Sequence, residues 1–425
     1  MKKFLYLLSF GPWVIWVAAE TKPVEIQTAP APELISKANA GDAKAQYDVA
    51  YFYSEAKDTK HDFALAVQWL RKAADQGLAK AQYSLGIAYD FGRGVEVDKA
   101  QAIAWYQKSA NQGYHHGQLM LGFIYENGDE GVTKDIKQAI AWYQKAADQG
   151  NPRAQFYLGN IYFFGKGVPA DTDQGLSLYR KAAALDFPEA LHYLGACYAK
   201  GRGVPQDLTE AAKWYEKAAT LGNDNSQLTM GVICQQGIGV TQNKAQAVVW
   251  FRKAAEQGNA LAQVNLANCY LDGDGIAEDP VAACNWLRKA AEKGNAMAQV
   301  NLGNCYHKGM GVKKDGAEAV MWYLRARNQG QTDVLFNLGL CYLTGDGVPQ
   351  DVVEAYAYYL LASKVPQTAD IAQDAMDSIL KTLPATKTPG EKRAIELNTE
   401  IYQKIALRKK PTANPPTRVV DGGTR

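Results

Sequence analysis

The sequence predicts an all-α protein, a solenoid of helix-turn-helix units, and three observations carry that reading. A glycine recurs at Gly41, Gly77, Gly113, Gly150, Gly222, Gly258, Gly294 and Gly330, spaced by 36 residues or a multiple of it apart from one step of 37, with Asp186 in phase where one further glycine is expected. A tryptophan keeps the same period at Trp69, Trp105, Trp142, Trp214, Trp250, Trp286 and Trp322, with Leu178 and Tyr358 in phase. Between these markers, apolar residues recur at helical spacing on both sides of a Gly-x-Gly turn. Self-similarity with a period of about 20 to 50 residues marks an architecture in which each unit buries its apolar face against its neighbours.

Residues 79–113 show the logic of one unit. Ala81, Leu85, Gly86, Ile87, Ala88 and Tyr89 fall on helical spacing until Gly92-Arg93-Gly94 interrupts them. Ala100, Ile103, Ala104, Trp105, Lys108 and Ala110 then define a second helix, opened by Asp98 as N-cap and closed by Gly113. The turn glycines supply the positive φ that ends one helix and starts the return; they follow a helix instead of a strand, which excludes a phosphate-cradling loop. Gly86 and its equivalents lie inside the first helix, where glycine costs about 1 kcal/mol against alanine. Close approach of the paired helix, with the Trp105-type ring packed there, is the expected compensation, and Ala50 and Ala267 fill the same slot.

The pattern AQ-x-x-LG-x-x-Y, then G-x-GV-x-x-D, then A-x-x-W-Y-x-KAA is seen in Ala154-Gln155, Leu158-Gly159, Tyr162, Gly165-Lys166-Gly167-Val168, Asp171, Trp142-Tyr143 and Lys145-Ala146-Ala147. It resembles the SEL-one-like repeat family, a relative of the tetratricopeptide repeats. The resemblance covers about three quarters of the chain and implies a right-handed α-α superhelix of nine units that binds partners and shares no catalytic residue.

Taken in order, residues 1–19 read as a cleaved signal peptide: Lys2 and Lys3 precede an uncharged stretch ending in small residues, with cleavage expected after Ala19. That stretch is shorter than a spanning helix needs, and Gly11-Pro12 interrupts it, so no membrane span is expected after cleavage. The first cysteine is Cys197, which excludes a lipid-anchored precursor. The product is expected in the periplasm or outside the cell. Residues 20–40 read as a proline-bearing linker and an N-terminal cap, with a short helix over Glu33 to Ala40. Residues 41–365 hold the nine units, of which the first is irregular, with Ser54-Glu55-Ala56-Lys57 in place of its glycine turn. Residues 366–407 read as capping helices, Thr368 to Leu383 and Glu391 to Leu407 around a Pro384 to Gly390 linker. Residues 408–425 read as a disordered tail.

The formal charge is +2 and falls to zero once Lys2 and Lys3 are removed, and no unit is strongly basic, so nucleic acid is not an expected partner. The histidines are scattered over different units; His115 and His116 are adjacent and are expected on different faces of a helix. No Cys/His spacing for a metal appears, and no cofactor is expected. Cys269 and Cys284 flank the Gly273-Asp274-Gly275 turn almost symmetrically, so they are a candidate disulfide, with buried thiols as the default. Same-slot cysteines a unit apart lie on helices ~10 Å distant, beyond disulfide reach. The cysteine-rich branch of the family pairs its cysteines around the Lys-Ala-Ala segment and the next Ala-Gln; those places hold none here, so its disulfides and penicillin binding do not carry over.

Ser54-x-x-Lys57 has the spacing of a penicillin-binding nucleophile, and an envelope hydrolase is the alternative reading. Its companion motifs are absent, and no catalytic residue is assigned. The leading expectation is a non-catalytic scaffold that takes a protein or peptide on the concave wall of first helices. In tetratricopeptide geometry that wall presents positions three before, one after and four after the Gly86 slot. Tyr83, Ile87, Phe123, Phe156, Asn160, Phe163, His192, Asn268, Asn304, His307 and Phe336 are the expected contact residues, with asparagines to grip a peptide backbone and the aromatics of units two to four as anchors. An equal expectation holds for Leu119, Val264 and Val300, which can instead pack between neighbouring first helices.

Overall fold

In a computed structural model the described residues are 29–55 and 61–409, so the expected signal peptide, Lys57 and residues 410–425 lie outside them. A short helix, α1 (Pro32–Asn39), leads into nine helix pairs: α2 (Ala43–Glu55) with α3 (Phe63–Asp75), α4 (Ala79–Phe91) with α5 (Lys99–Asn111), α6 (His115–Asn127) with α7 (Ile136–Asp148), α8 (Pro152–Phe164) with α9 (Thr172–Ala184), α10 (Pro188–Lys200) with α11 (Leu208–Thr220), α12 (Asp224–Gln236) with α13 (Lys244–Glu256), α14 (Ala260–Asp272) with α15 (Pro280–Glu292), α16 (Ala296–Lys308) with α17 (Gly316–Arg327), and α18 (Val334–Thr344) with α19 (Val352–Ala362). Two further helices follow, α20 (Ala369–Thr382) and α21 (Lys387–Lys409), joined by a 3-10 turn at Pro384–Thr386. No β-strand occurs among the described residues, and the fold is an all-α repeat solenoid. The chain divides into two compact units, one up to Ile161 with Gly165–Pro169, the other Tyr162–Phe164 with everything from Ala170 on.

Each repeat is held by the same local devices. Asp98 is an N-cap as expected, its carboxylate accepting from the Gln101 N–H at 2.9 Å, and Asp207, Asn243, Asp279 and Asp315 do the same for their helices. Asp186, in phase with the glycines, is the one non-glycine residue at positive φ among those described, at 55°. The glutamine in the Ala-Gln slot has a role the motif alone did not disclose. Gln227 Nε2 donates to the Ala219 carbonyl at 3.0 Å, satisfying the end of the preceding helix, while its Oε1 accepts from Gln257 Nε2 at 2.7 Å. Gln82 with Ala74 and Gln112, and Gln299 with Ala291 and Gln329, repeat the arrangement.

The internal glycine has its expected cause but a different partner. A Cβ on Gly86 would lie 2.6 Å from the ring of Tyr106, and one on Gly303 2.5 Å from that of Tyr323, so the residue after the tryptophan, and not the Trp105-type ring, occupies the slot. Trp69, Trp250 and Trp322 are buried in the core and Trp105, Trp142, Trp214 and Trp286 are half-buried, and in all but Trp214 a cation three residues on covers the ring: Lys108 Nζ is 3.9 Å from the Trp105 centroid and Lys289 4.1 Å from that of Trp286.

The C-terminal cap differs from its expected outline. Helix α21 starts at Lys387, so Thr388-Pro389-Gly390 form its first turn, where proline loses no helical hydrogen bond. Gly390 packs against the Tyr356 ring of α19, an approach a side chain would block. Arg393 Nε donates to Glu354 at 2.7 Å and fixes the helix on α19.

Candidate functional site

The face presented by the first helices is uneven. In units two to four, Ile87, Phe156, Asn160 and Phe163 are nine-tenths or more buried, which corrects the expectation that they stand open as contact residues, Phe156 and Phe163 as aromatic anchors and Asn160 as a grip on a peptide backbone. Phe163 is 3% exposed, and the Arg202 guanidinium lies 4.4 Å from its centroid. Asp90 receives Lys99 at 2.5 Å and the Tyr106 hydroxyl at 3.0 Å, and Glu126 receives the Tyr143 hydroxyl at 2.9 Å and Lys166 at 3.1 Å. Tyr83 and Phe123 are half-buried, Tyr83 against Tyr114 and His116, Phe123 against Tyr157. Leu119, Val264 and Val300 are buried and pack between helices.

In repeats five to nine the corresponding positions are more open. His192, Asn268, Asn304, His307 and Phe336 are half-buried, and so are Leu228, Val232, Leu271, Leu340 and Leu343. The asparagines are linked between neighbouring units: Asn301 Nδ2 donates to Asn268 Oδ1 at 3.2 Å, and Asn337 Nδ2 and the Tyr323 hydroxyl donate to Asn304 Oδ1 at 3.1 and 2.8 Å. His192 Nδ1 is 2.8 Å from Ser226 Oγ, and burial holds this imidazole below its usual pKa, with Asp224 opposing the shift.

Sequence reasoning missed how units clasp this face. The middle residue of a Gly-x-Gly turn reaches the last face position of the preceding unit, 39 residues back in units six and eight. Asp274 accepts from Gln235 Nε2 at 2.8 Å, and Asp346 lies 3.3 Å from His307 Nδ1 and 3.4 Å from Lys314. Hydrogen bonds from Lys244 and Gln235 hold the Asp274 carboxyl below its usual range. A carboxylate at x with an amide or imidazole 39 residues before it is a pattern the sequence does contain.

The Sel1 repeat family matches nine consecutive segments: residues 43–78, 79–114, 115–151, 152–187, 188–223, 225–259, 260–295, 296–331 and 332–364. The chain belongs to the Sel1 repeat family. Two solved Sel1-type structures are similar to it. One is c5321 of Escherichia coli, described as a protective antigen present in uropathogenic strains that displays an SLR fold; it is 30% identical, with 92% of this chain and 99% of that chain covered, at a TM-score of 0.52. The other is a Sel1 repeat protein from Oxalobacter formigenes, 36% identical, with 71% and 87% covered, also at 0.52. No curated protein matches this chain. Sel1 repeat proteins are generally protein-interaction scaffolds and generally non-catalytic.

Against that family background three further residue sets can be placed. Ser54 Oγ donates to the Tyr51 carbonyl of its own helix at 3.1 Å, as an ordinary helical serine does. His115 and His116 have ring centroids 4.1 Å apart, because both stand in the first turn of α6, which corrects their expected divergence. All six cysteines are buried free thiols, so Cys269 and Cys284 are unbridged. Cys284 faces Cys305 of the next repeat instead. Among the described residues no group of three or more His, Cys, Asp or Glu is placed to hold a metal, and no helix is long and apolar enough to cross a membrane.

Proposed function

We propose that this Sel1 repeat protein is an exported, non-catalytic scaffold that holds a protein or peptide segment along the concave face of its first helices, chiefly in units five to nine. The observation that carries the reading is the change in that face. Units two to four close it with their own rings and ion pairs, whereas units five to nine leave apolar and amide side chains half-open in register, one set per repeat. Apolar side chains supply buried contact area and amide NH2 groups supply hydrogen bonds to a chain laid across them. Export is supported by the layout of residues 1–19 and fits the description of the E. coli relative as a protective antigen. Envelope assembly, signalling or host interaction are the roles this placement suits.

The test is co-purification from the native envelope, comparing wild type with Val232→Lys/Asn268→Ala. Both substitutions fall on half-exposed positions, so the helical circular dichroism is expected to be retained while the principal co-purifying protein is lost. Recovery of the same partners in the same amounts by the folded variant refutes the assigned face.

A further inference from the structure

At successive boundaries from unit five to unit nine two positions fall in one buried cluster: the residue two before the tryptophan on a second helix, and the residue two after the internal glycine slot on the next first helix. Val248 and Cys269 share one buried cluster, and Val320 and Cys341 share another. Only the boundary between units seven and eight fills both positions with cysteine, Cys284 on α15 and Cys305 on α16. Their exposures are 1% and 0%. The Cys284 thiol donates to the Met310 carbonyl at 3.0 Å, and the Cys305 thiol, buried in the same cluster on the next helix, donates a hydrogen bond to the Cys284 sulfur. That donated hydrogen bond holds the Cys284 thiol below its usual pKa and pushes Cys305 upward, which makes Cys284 the sulfur that ionises first.

We propose that Cys284 and Cys305 are a redox-active dithiol that closes to a disulfide across the boundary of units seven and eight, locking α15 to α16. The oxidant class is a small or protein-borne disulfide, with glutathione disulfide as the probe. Cys284 loses its proton and attacks one sulfur of glutathione disulfide; that S–S bond breaks, and the departing glutathione takes up a proton. Cys305 then loses its proton and attacks the Cys284 sulfur of the mixed disulfide, releasing the second glutathione as a thiol. The two protein thiols are oxidised by two electrons, and the two glutathione sulfurs gain them. Because both cysteines are buried, exchange requires the boundary to open or the chain to be folding, so the bridge forms during oxidative refolding and slowly in the folded protein. This pairing does not depend on the partner-binding reading.

The experiment refolds the full chain in a glutathione redox buffer, alkylates it under denaturing conditions and maps it by proteolysis and mass spectrometry. The expected result is a cross-linked peptide pair containing Cys284 and Cys305, with four of the six thiols alkylated. Cys269→Ala keeps the cross-link and Cys284→Ala abolishes it. The thermal midpoint of the oxidised chain is expected to lie above that of the reduced chain and to return on adding dithiothreitol. Six alkylated thiols after oxidation, or a bridge joining any other pair, overturns the proposal. Mapping the wild-type chain decides the pairing even if a variant fails to fold.

Discussion

The internal position of each first helix and the residue after each tryptophan vary together. Where the slot is glycine the facing residue is aromatic, as in Gly86 with Tyr106, Gly231 with Phe251 and Gly339 with Tyr359. Where the slot is alanine, at Ala50 and Ala267, the corresponding residue is leucine, Leu70 and Leu287, and all four are buried. One methyl is exchanged for one ring at constant filling, as a core packed to crystal density requires. Gly303→Ala alone is therefore expected to destabilise the fold by about 1–3 kcal/mol through overpacking against Tyr323, despite the gain in helix propensity. Tyr323→Leu leaves a void and is expected to cost about 1–3 kcal/mol. The double variant recreates the pairing of unit seven, and a urea double-mutant cycle is expected to show about 1 kcal/mol or more of favourable coupling. His192 gives a pH-dependent counterpart. Burial lowers its pKa in the fold, so above about pH 6.5 both folded and unfolded chains hold it neutral, and below that the unfolded chain binds more protons. Stability is expected to fall as the pH drops through that range and to fall less in His192→Gln, read from urea midpoints at pH 7.5 and 5.5.

At the scale of the helix and its ends, the glutamine ladder shows a unit-by-unit rule with two exceptions, Gln155 and Gln263, of which the second is the more informative. Gln263 donates to Ala255 like its counterparts, but its Oε1 is buried without a hydrogen-bond partner, because Lys293 stands where Gln257 and Gln329 stand in their units. A buried acceptor left unpaired is costly, whereas a made hydrogen bond contributes about 0.5–1.5 kcal/mol. Lys293→Gln is thus expected to raise stability by about 1 kcal/mol, seen as a higher urea midpoint with an unchanged slope. At this scale the sequence was most legible: the caps at Asp98 and its equivalents, the turn glycines and the anomalous Asp186 all follow from local backbone requirements that the period repeats. The solvent exposure of the face was not legible. Whether Phe163 is an anchor or a core residue depends on Arg202 of the following repeat lying over it, and the Asn268 carbonyl is engaged by Asn301 of the following repeat. Those are properties of neighbours across a boundary, and no periodicity within one helix encodes them. The cysteines show the same division, since symmetry about one turn suggested Cys269 with Cys284 whereas packing between repeats brings Cys284 to Cys305.

At the scale of the whole array, stability is a sum of repeat and interface terms, so a terminal repeat needs its outer apolar side covered. In the C-terminal unit α21 supplies this cover. Its Ala394 and Leu397 are buried in the same cluster as Tyr356, Tyr358 and Leu361 of α19, while Arg393 clamps Glu354 from two nitrogens. The close approach of Gly390 to Tyr356 places the helix start so that these contacts stay in register. Truncation after Val365 removes that cover and leaves the α19 face of the ninth repeat in water. The expected outcome is a chain that retains most of its helical circular dichroism per residue, binds a hydrophobic dye and melts below the full-length protein, with the loss confined to the last repeats. Hydrogen exchange resolves that distribution: amides of α18 and α19 should lose protection first and those of α12 to α15 should keep most of theirs. A truncated chain whose protection pattern over α18 and α19 equals that of the full chain would show that the ninth repeat is stable without the cap.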